Sequence, residues 1–238
     1  MAVIRPVPFV RRKLHEVAQL TQRIKEGYEE GGTGRLTQAF VNRVTKFVSL
    51  YLYSRKKARL LEWSLTGPVP EVDPPGIGIE IRDLREEEIP CFKDIVRAKK
   101  LELFRERLAE GKICLVAWHE GEVAWFGWVA MGPEYEPIFR VMLNLKEDEG
   151  YLLDAFTNPK YRGKNLHTYM SARRLERLQR MGARRAFGIA AVENLPSRKA
   201  HGKGGCVETR EVSCINILGI RFHLWKDLPE KELKSGQP

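Results

Sequence analysis

The residues of this 238-residue chain best suited to chemistry lie between Tyr151 and Cys206. Residues 151–157, YLLDAFT, read as a buried strand that passes into NPKYRGKNLH and then into a basic helical segment. A short glycine-containing turn between a strand and a helix leaves several backbone N–H groups open, and the helix dipole adds partial positive charge there. Together these suit a phosphate or a pyrophosphate. Lys160, Arg162 and Lys164 bring formal charge to the same turn. The turn is not a P-loop, because G-x-x-x-x-G-K-[ST] is absent, and not a dinucleotide fingerprint, because G-x-G-x-x-G is absent.

The elements that must position this turn follow from periodicity. Residues 7–30 and 35–65 read as two helices separated by Gly31, Gly32 and Gly34, with Leu36, Phe40, Val44, Phe47, Val48 and Tyr51 on one apolar stripe. Residues 66–78 hold four prolines and read as a boundary. Beyond it, 77–84 alternates like a strand, and 86–110 reads as two helices broken near residue 100. Residues 113–119 and 122–131 form a hairpin, and 132–149 look irregular. A helix over 166–181 turns Leu166, Met170, Leu175, Leu178 and Met181 inward, and Arg173, Arg177, Arg180 and Arg184 form a solvent-facing stripe. A strand over 185–192, a short helix over 194–203 and strands over 207–213 and 219–225 complete the chain. The class is α+β with a mixed, mostly antiparallel sheet flanked by helices and preceded by an N-terminal helical extension. The expected organisation is an extension over 1–66, a Pro-rich linker over 67–78, a main domain over 79–227 that carries the phosphate turn, and a tail over 228–238. A chain lacking the extension is expected to keep the phosphate site.

Charge is unevenly placed. Residues 1–66 hold 13 basic and 5 acidic residues, 67–158 hold 11 and 19, and 159–203 hold 12 and 2. The net charge of +10 therefore comes as two basic blocks around an acidic one. Such a block suits a polyphosphate, nucleic acid or an acidic protein. No window of about 18 uncharged apolar residues exists, so no membrane span is expected. The start has no apolar segment of the secretory kind. Cys91, Cys114, Cys206 and Cys214 form no C-x-x-C pair, so reduced thiols, a cytoplasmic location and no metal are expected.

The sequence resembles the GCN5-related N-acetyltransferase (GNAT) superfamily over roughly residues 77–227. The family's strand ending V-x-P and its loop R/Q-x-x-G-x-G/A have counterparts in Thr157-Asn158-Pro159 and in Arg162-Gly163-Lys164-Asn165-Leu166-His167. Its N-x-x-A-x-x-hydrophobic-Tyr pattern appears as Asn194, Ser197, Ala200 and His201, with Gly205-Cys206 at the end. The resemblance implies the family fold and acyl-CoA as donor, bound through Phe156, Thr157, Arg162, Gly163, Lys164, Asn165, Leu166, His167, Asn194 and Ser197. Asn165 stands where a Gly is usual, and Asn tolerates a left-handed backbone best among the other residues. His167 replaces a small residue, in contact with the donor or narrowing its entrance. His201 replaces the Tyr that usually protonates the departing thiolate.

Amide formation from a thioester needs an amine that loses a proton, N–H donors for the oxyanion and a proton for the thiolate. The resemblance gives His201 the last of these tasks, with a purely structural hydrogen bond as the alternative. The family's carboxylate positions fall on Tyr151 and Ile189, and neither is acidic. Asp154 and Glu193 are the nearby candidates for the base, beside a water relay or no dedicated base. Strand alternation sets Asp154 on the face opposite Tyr151, Ala155 and Thr157. Cys206 lacks the pairing a nucleophile needs, so direct attack without a covalent intermediate is expected.

The expected activity is N-acyl transfer, with acetyl-CoA or another acyl-CoA as donor, to a primary amine of a small molecule or a protein. One alternative is acyl transfer from an acidic acyl-carrier protein. Another is a CoA-binding regulatory protein without catalysis. No RNP, zinc-finger or helix-turn-helix signature points to nucleic acid. For the N-terminal helix pair the options are packing on the catalytic domain, homodimer formation, or contact with an anionic membrane or nucleic acid.

Overall fold

The computed structural model describes residues 53–217 and 220–229. The helix expected over 7–30, residues 35–52 of the helix expected over 35–65, and residues 230–238 of the tail lie outside them.

Residues 53–64 correct the sequence reading. They form strand β1 (Tyr53–Ser64), not the end of a helical extension. Arg-Lys-Lys-Ala-Arg-Leu-Leu-Glu has high helix propensity, but propensity yields to tertiary pairing. Here β1 runs antiparallel to β8 (Arg185–Ala191), from Ala58↔Ala191 to Ser64↔Arg185. Consecutive Leu60 and Leu61 are both buried, as are Ala58, Trp63 and Leu65. A strand covered on both faces shows no alternation to read.

The other elements follow in chain order. Strand β2 (Glu80–Asp83) leads to a 3-10 turn (Glu86–Phe92) and helix α1 (Ala98–Ala109). The hairpin β3 (Ile113–His119) and β4 (Glu122–Met131) is buried along nearly its whole length. Residues 132–149 are not irregular throughout, since β5 (Glu134–Glu136) and β6 (Val141–Leu143) pair as a separate hairpin. Strand β7 (Glu149–Thr157) enters α2 (Leu166–Arg180) through a 3-10 turn at Pro159–Tyr161. After β8 come α3 (Leu195–Lys203), β9 (Val207–Ile217) and β10 (Ile220–Asp227). The eight-stranded sheet has the order β10-β9-β1-β8-β7-β4-β3-β2, and β7–β8 is its parallel pair among those whose register is described.

Residues 57–212, with 225–229, form one compact unit. Its sheet has a core on each face. On the α2 side Leu61, Trp63, Leu152, Leu166, Met170, Leu175 and Leu178 pack together. On the α1 side Phe92, Phe104, Phe126 and Trp128 meet edge to face at 5.2–5.6 Å. Residues 53–56 and Ser213–Leu224 belong to a second unit, in which Arg55 Nη2 donates to Ser213 Oγ over 3.2 Å.

The Pro-rich stretch over 67–78 is tied down. Gly76 N–H donates to the Lys164 carbonyl (3.2 Å), and Gln179 Nε2 to the Gly67 carbonyl (2.8 Å). Gly205 sits at φ +79°, where a Cβ would meet Pro70 Cγ at 2.8 Å.

Candidate active site

Strands β7 and β8 pair at Glu149↔Arg185, Gly150↔Ala186 and Tyr151↔Phe187. Both continue, to Thr157 and Ala191, without further pairing to each other, each still paired to its other neighbour. This opens a notch in the sheet, lined by strand backbone. In a regular sheet the N–H groups of 152–157 that turn away from β4 would be bonded to β8.

At the foot of the notch lies the turn from β7 into α2. Gly163 has φ +76° and Asn165 φ +57°, so the left-handed conformation expected of Asn165 is present. Asn165 is also the N-cap residue of α2, and its Nδ2 donates to the Asp73 carbonyl over 3.0 Å. Among the described residues, the N–H groups of Gly163, Lys164, Leu166 and His167 donate to no protein group. These open donors at the start of a 15-residue helix, with Arg162 and Lys164 exposed beside them, fit a pyrophosphate. Lys160 contributes less than its charge suggests. Its Nζ is held by Glu122 at 2.6 Å, and Glu122 also accepts from Tyr161 Oη at 2.7 Å. Arg162 Nε donates to the Thr157 carbonyl at 3.4 Å.

Val at position 165 would meet the left-handed backbone with a branched side chain, at a cost of roughly 1–2 kcal/mol or more. Asn165→Val is therefore expected to weaken CoA binding about tenfold. Asn165→Gly, which keeps the backbone free, should bind close to wild type. Calorimetric titration with CoA checks both, and equal affinity for Val and wild type would remove the turn from the site.

His167 and His201 come together at this end of α2 and α3. Their rings lie 5.3 Å apart, edge to face, and His201 also packs edge-on against Trp63 at 5.3 Å. Trp125 Nε1 donates to His167 Nδ1 over 3.3 Å. Among the described residues, His167 Nε2 and His201 Nδ1 are buried without a hydrogen-bond partner. Burial, and then the Arg174 charge, push His167 down to about 4. Burial, then His167 and Arg174, hold His201 well below the usual histidine range. Both are neutral at pH 7. A neutral imidazole offers a hydrogen bond, not the acidic proton of an imidazolium.

The base candidates separate clearly. Tyr151 is buried, and burial followed by the charges of Glu136 and Glu134 raises its phenol well above the usual value, so it stays protonated. Glu193 is exposed in the turn after β8. Asp154 lies opposite Ala155, which packs on the α2-side core, as expected, but the bulge between Leu153 and Phe156 breaks the alternation back to Tyr151. Asp154 sits at φ +42°, and its carboxylate is ion-paired with Lys100 and Arg107, each at 2.7 Å. Burial raises its pKa, but the two cations outweigh this and lower it overall. Asn194 caps α3, with Oδ1 accepting from Ser197 N–H at 3.3 Å. Phe156 stacks on Phe126 at 5.5 Å, on the α1 side. Burial pushes the Cys206 thiol up to about 12, which agrees with its exclusion as a nucleophile.

Sequence reasoning missed Glu136. It is buried in β5, and desolvation raises its pKa above the usual carboxylate value. Its oxygens accept from the Ile138 N–H at 2.9 and 3.3 Å. Glu134 is ion-paired to Lys112, whereas Glu136 has no ion pair among the described residues. Its signal was the alternation Glu-Tyr-Glu in a segment read as irregular.

Residues 81–205 match the acetyltransferase (GNAT) family. No curated protein matches the chain. Among solved structures, a Drosophila protein is 17% identical, with a TM-score of 0.48 over 76% of this chain and 58% of its own length. An acetyltransferase of the GNAT family from Novosphingobium aromaticivorans, described as putative, is 14% identical (TM-score 0.47, 74% and 66%). A predicted acetyltransferase from Clostridium acetobutylicum, solved with acetyl-CoA, is 15% identical (TM-score 0.40, 52% and 89%). The chain thus spans less than two thirds of the length of the first two.

Proposed function

Because the chain belongs to the GNAT acetyltransferase family, we propose that it transfers an acyl group, acetyl in the simplest case, from a CoA thioester to a primary amine. The observation that carries this reading is the parted pair β7–β8 ending on the open N–H groups of the turn at 162–167. A pyrophosphate on that turn would direct the thioester arm into the notch. Backbone N–H groups of β7 beyond Tyr151 would then face the thioester carbonyl and stabilise its oxyanion.

Attack is direct, since neither Cys206 nor the buried Cys114 is a thiolate at neutral pH. Glu136 is the carboxylate we assign to take up the amine's proton, because its charge acts on Tyr151, where the family's carboxylate would stand, and because Asp154 is held in ion pairs with Lys100 and Arg107. His201, held neutral, would steady the departing sulfur by a hydrogen bond, and water would supply the proton. The four free cysteines accord with a cytoplasmic setting. Among the described residues no helix is long and apolar enough to cross a membrane.

Release of free thiol from acetyl-CoA, followed across amino sugars, amino acids, polyamines and a lysine peptide, tests the reading. Amine-dependent thiol release is the expected result. A second reading, a CoA-binding regulatory protein, draws on the absence of a free carboxylate at Tyr151 and on the neutral His201. Tight CoA binding with no thiol release for any amine would favour it.

A further inference from the structure

Strand β7 carries one more residue than its partner can match. Trp128 pairs with Leu153 and Phe126 with Phe156, so three steps along β7 answer two along β4. The extra residue is a β-bulge, a device that re-aims the backbone of one strand. Asp154 sits at its centre in a left-handed conformation that side chains other than Gly rarely adopt. Opposite it, Gly127 admits no Cβ, since one would lie 2.3 Å from the Trp125 ring.

The bulge is braced from both faces of the sheet. On the α1 side Lys100 Nζ meets Asp154 Oδ1 and Arg107 Nη1 meets Oδ2, both at 2.7 Å, so neither carboxylate oxygen is left over. Arg107 is itself buried, and its guanidinium lies 5.3 Å from the Trp128 ring centre. On the α2 side the fully buried Arg174 donates from Nη1 to the Leu153 carbonyl (3.1 Å) and the Trp128 carbonyl (3.4 Å). These are the carbonyls at which the ladder slips. The arrangement spends buried charge on backbone that a regular strand would hold by itself.

We propose that Asp154 is a positioning residue. Its clamp to α1 holds the bulge in the left-handed form and so aims the following N–H groups of β7 into the notch, toward the thioester carbonyl. The inference rests on the reading of the notch as a CoA thioester site. It adds that helix α1, through Lys100 and Arg107, sets the geometry of that site.

Acetyl-CoA and CoA differ at the carbonyl these N–H groups would meet, so the ratio of their affinities isolates the effect without any acceptor amine. The full chain is titrated with each by calorimetry. Asp154→Ala is expected to lose about fivefold in affinity for acetyl-CoA, the worth of one ordinary hydrogen bond. CoA itself, held by the turn at 162–167, should bind as before. Asp154→Gly loses the clamp but adopts the left-handed backbone freely, so it should recover part of the ratio. Lys100→Met, at a half-exposed position, should lower the ratio with the fold intact, and it decides the matter if Asp154→Ala does not fold. An unchanged ratio in the folded variants, or Gly faring no better than Ala, overturns the inference while CoA still binds. A wild-type chain that binds neither compound overturns the functional reading itself, and this inference with it.

Discussion

Deleting residues 1–69 is expected to abolish cooperative folding. Sequence periodicity, which assigns 1–66 to a separable extension, predicts the opposite. The deletion removes β1 and with it the buried side chains of Leu60, Leu61, Trp63 and Leu65. At about 1.5–3 kcal/mol for each large apolar side chain, this forfeits roughly 6–12 kcal/mol. A domain of this kind holds only about 5–15 kcal/mol in all. The seven residue pairs along β8 are lost as well, and Trp63 Nε1 no longer donates to the Gly204 carbonyl (3.1 Å). Near-ultraviolet circular dichroism and a urea melt decide the question. A truncated chain that melts cooperatively and binds CoA like the full chain would show that β1 is dispensable. The graded version is Trp63→Ala, with an expected loss of roughly 3–5 kcal/mol.

The second large effect is acid destabilisation between about pH 6.5 and pH 4. His167 titrates near 4 in the folded chain and His201 well below its ordinary value, whereas both titrate near about 6.5 when unfolded. In that window the unfolded chain binds protons that the folded chain refuses, so stability rises with pH. It is complete above about pH 6.5 and falls as pH drops toward the folded value. For His167 alone the difference corresponds to roughly 3 kcal/mol, and His201 adds to it. Asp154, whose ordinary value already lies near the foot of this window, is held lower still and acts at lower pH, whereas the raised Glu136 favours the folded chain as pH falls and offsets part of the loss. Urea melts at pH 7 and pH 4.5 measure the loss. A double variant, His167→Gln with His201→Phe, should show a much smaller pH dependence. If it falls as steeply as wild type, the titrating groups lie elsewhere.

The parts of this molecule legible in its sequence are the ones made by neighbours along the chain. The turn from Arg162 to His167 could be read because Gly163, Asn165 and the start of α2 act within a few residues of each other. The inward set of α2 could be read because Leu166, Met170, Leu175 and Leu178 keep one period. Phe126 and Trp128 take one face of β4 and Trp125 the other, as period two requires. The failures share the opposite cause. Residues 53–64 have helix-forming composition, and strands more than a hundred residues later, β8 on one edge and β9 on the other, make them a strand. The alternation from Tyr151 to Asp154 was misread because a bulge has no local signature. The low proton affinity of His201 arises from burial and from His167 and Arg174, none of them near in sequence.

The place of β1 in the sheet also bears on how the chain is made. Glu62 meets Arg185 across 123 residues. At about 5–20 residues per second, β1 leaves the ribosome roughly 6–25 s before its partner strand exists. During that interval a strand apolar on both faces, with two unpaired edges, is a template for wrong partners. Its sheet cannot close until the final third of the chain has emerged, which also makes for slow folding through distant contacts. Expression yield should therefore respond to slower synthesis and to holdase chaperones more than the stability of the finished domain would suggest.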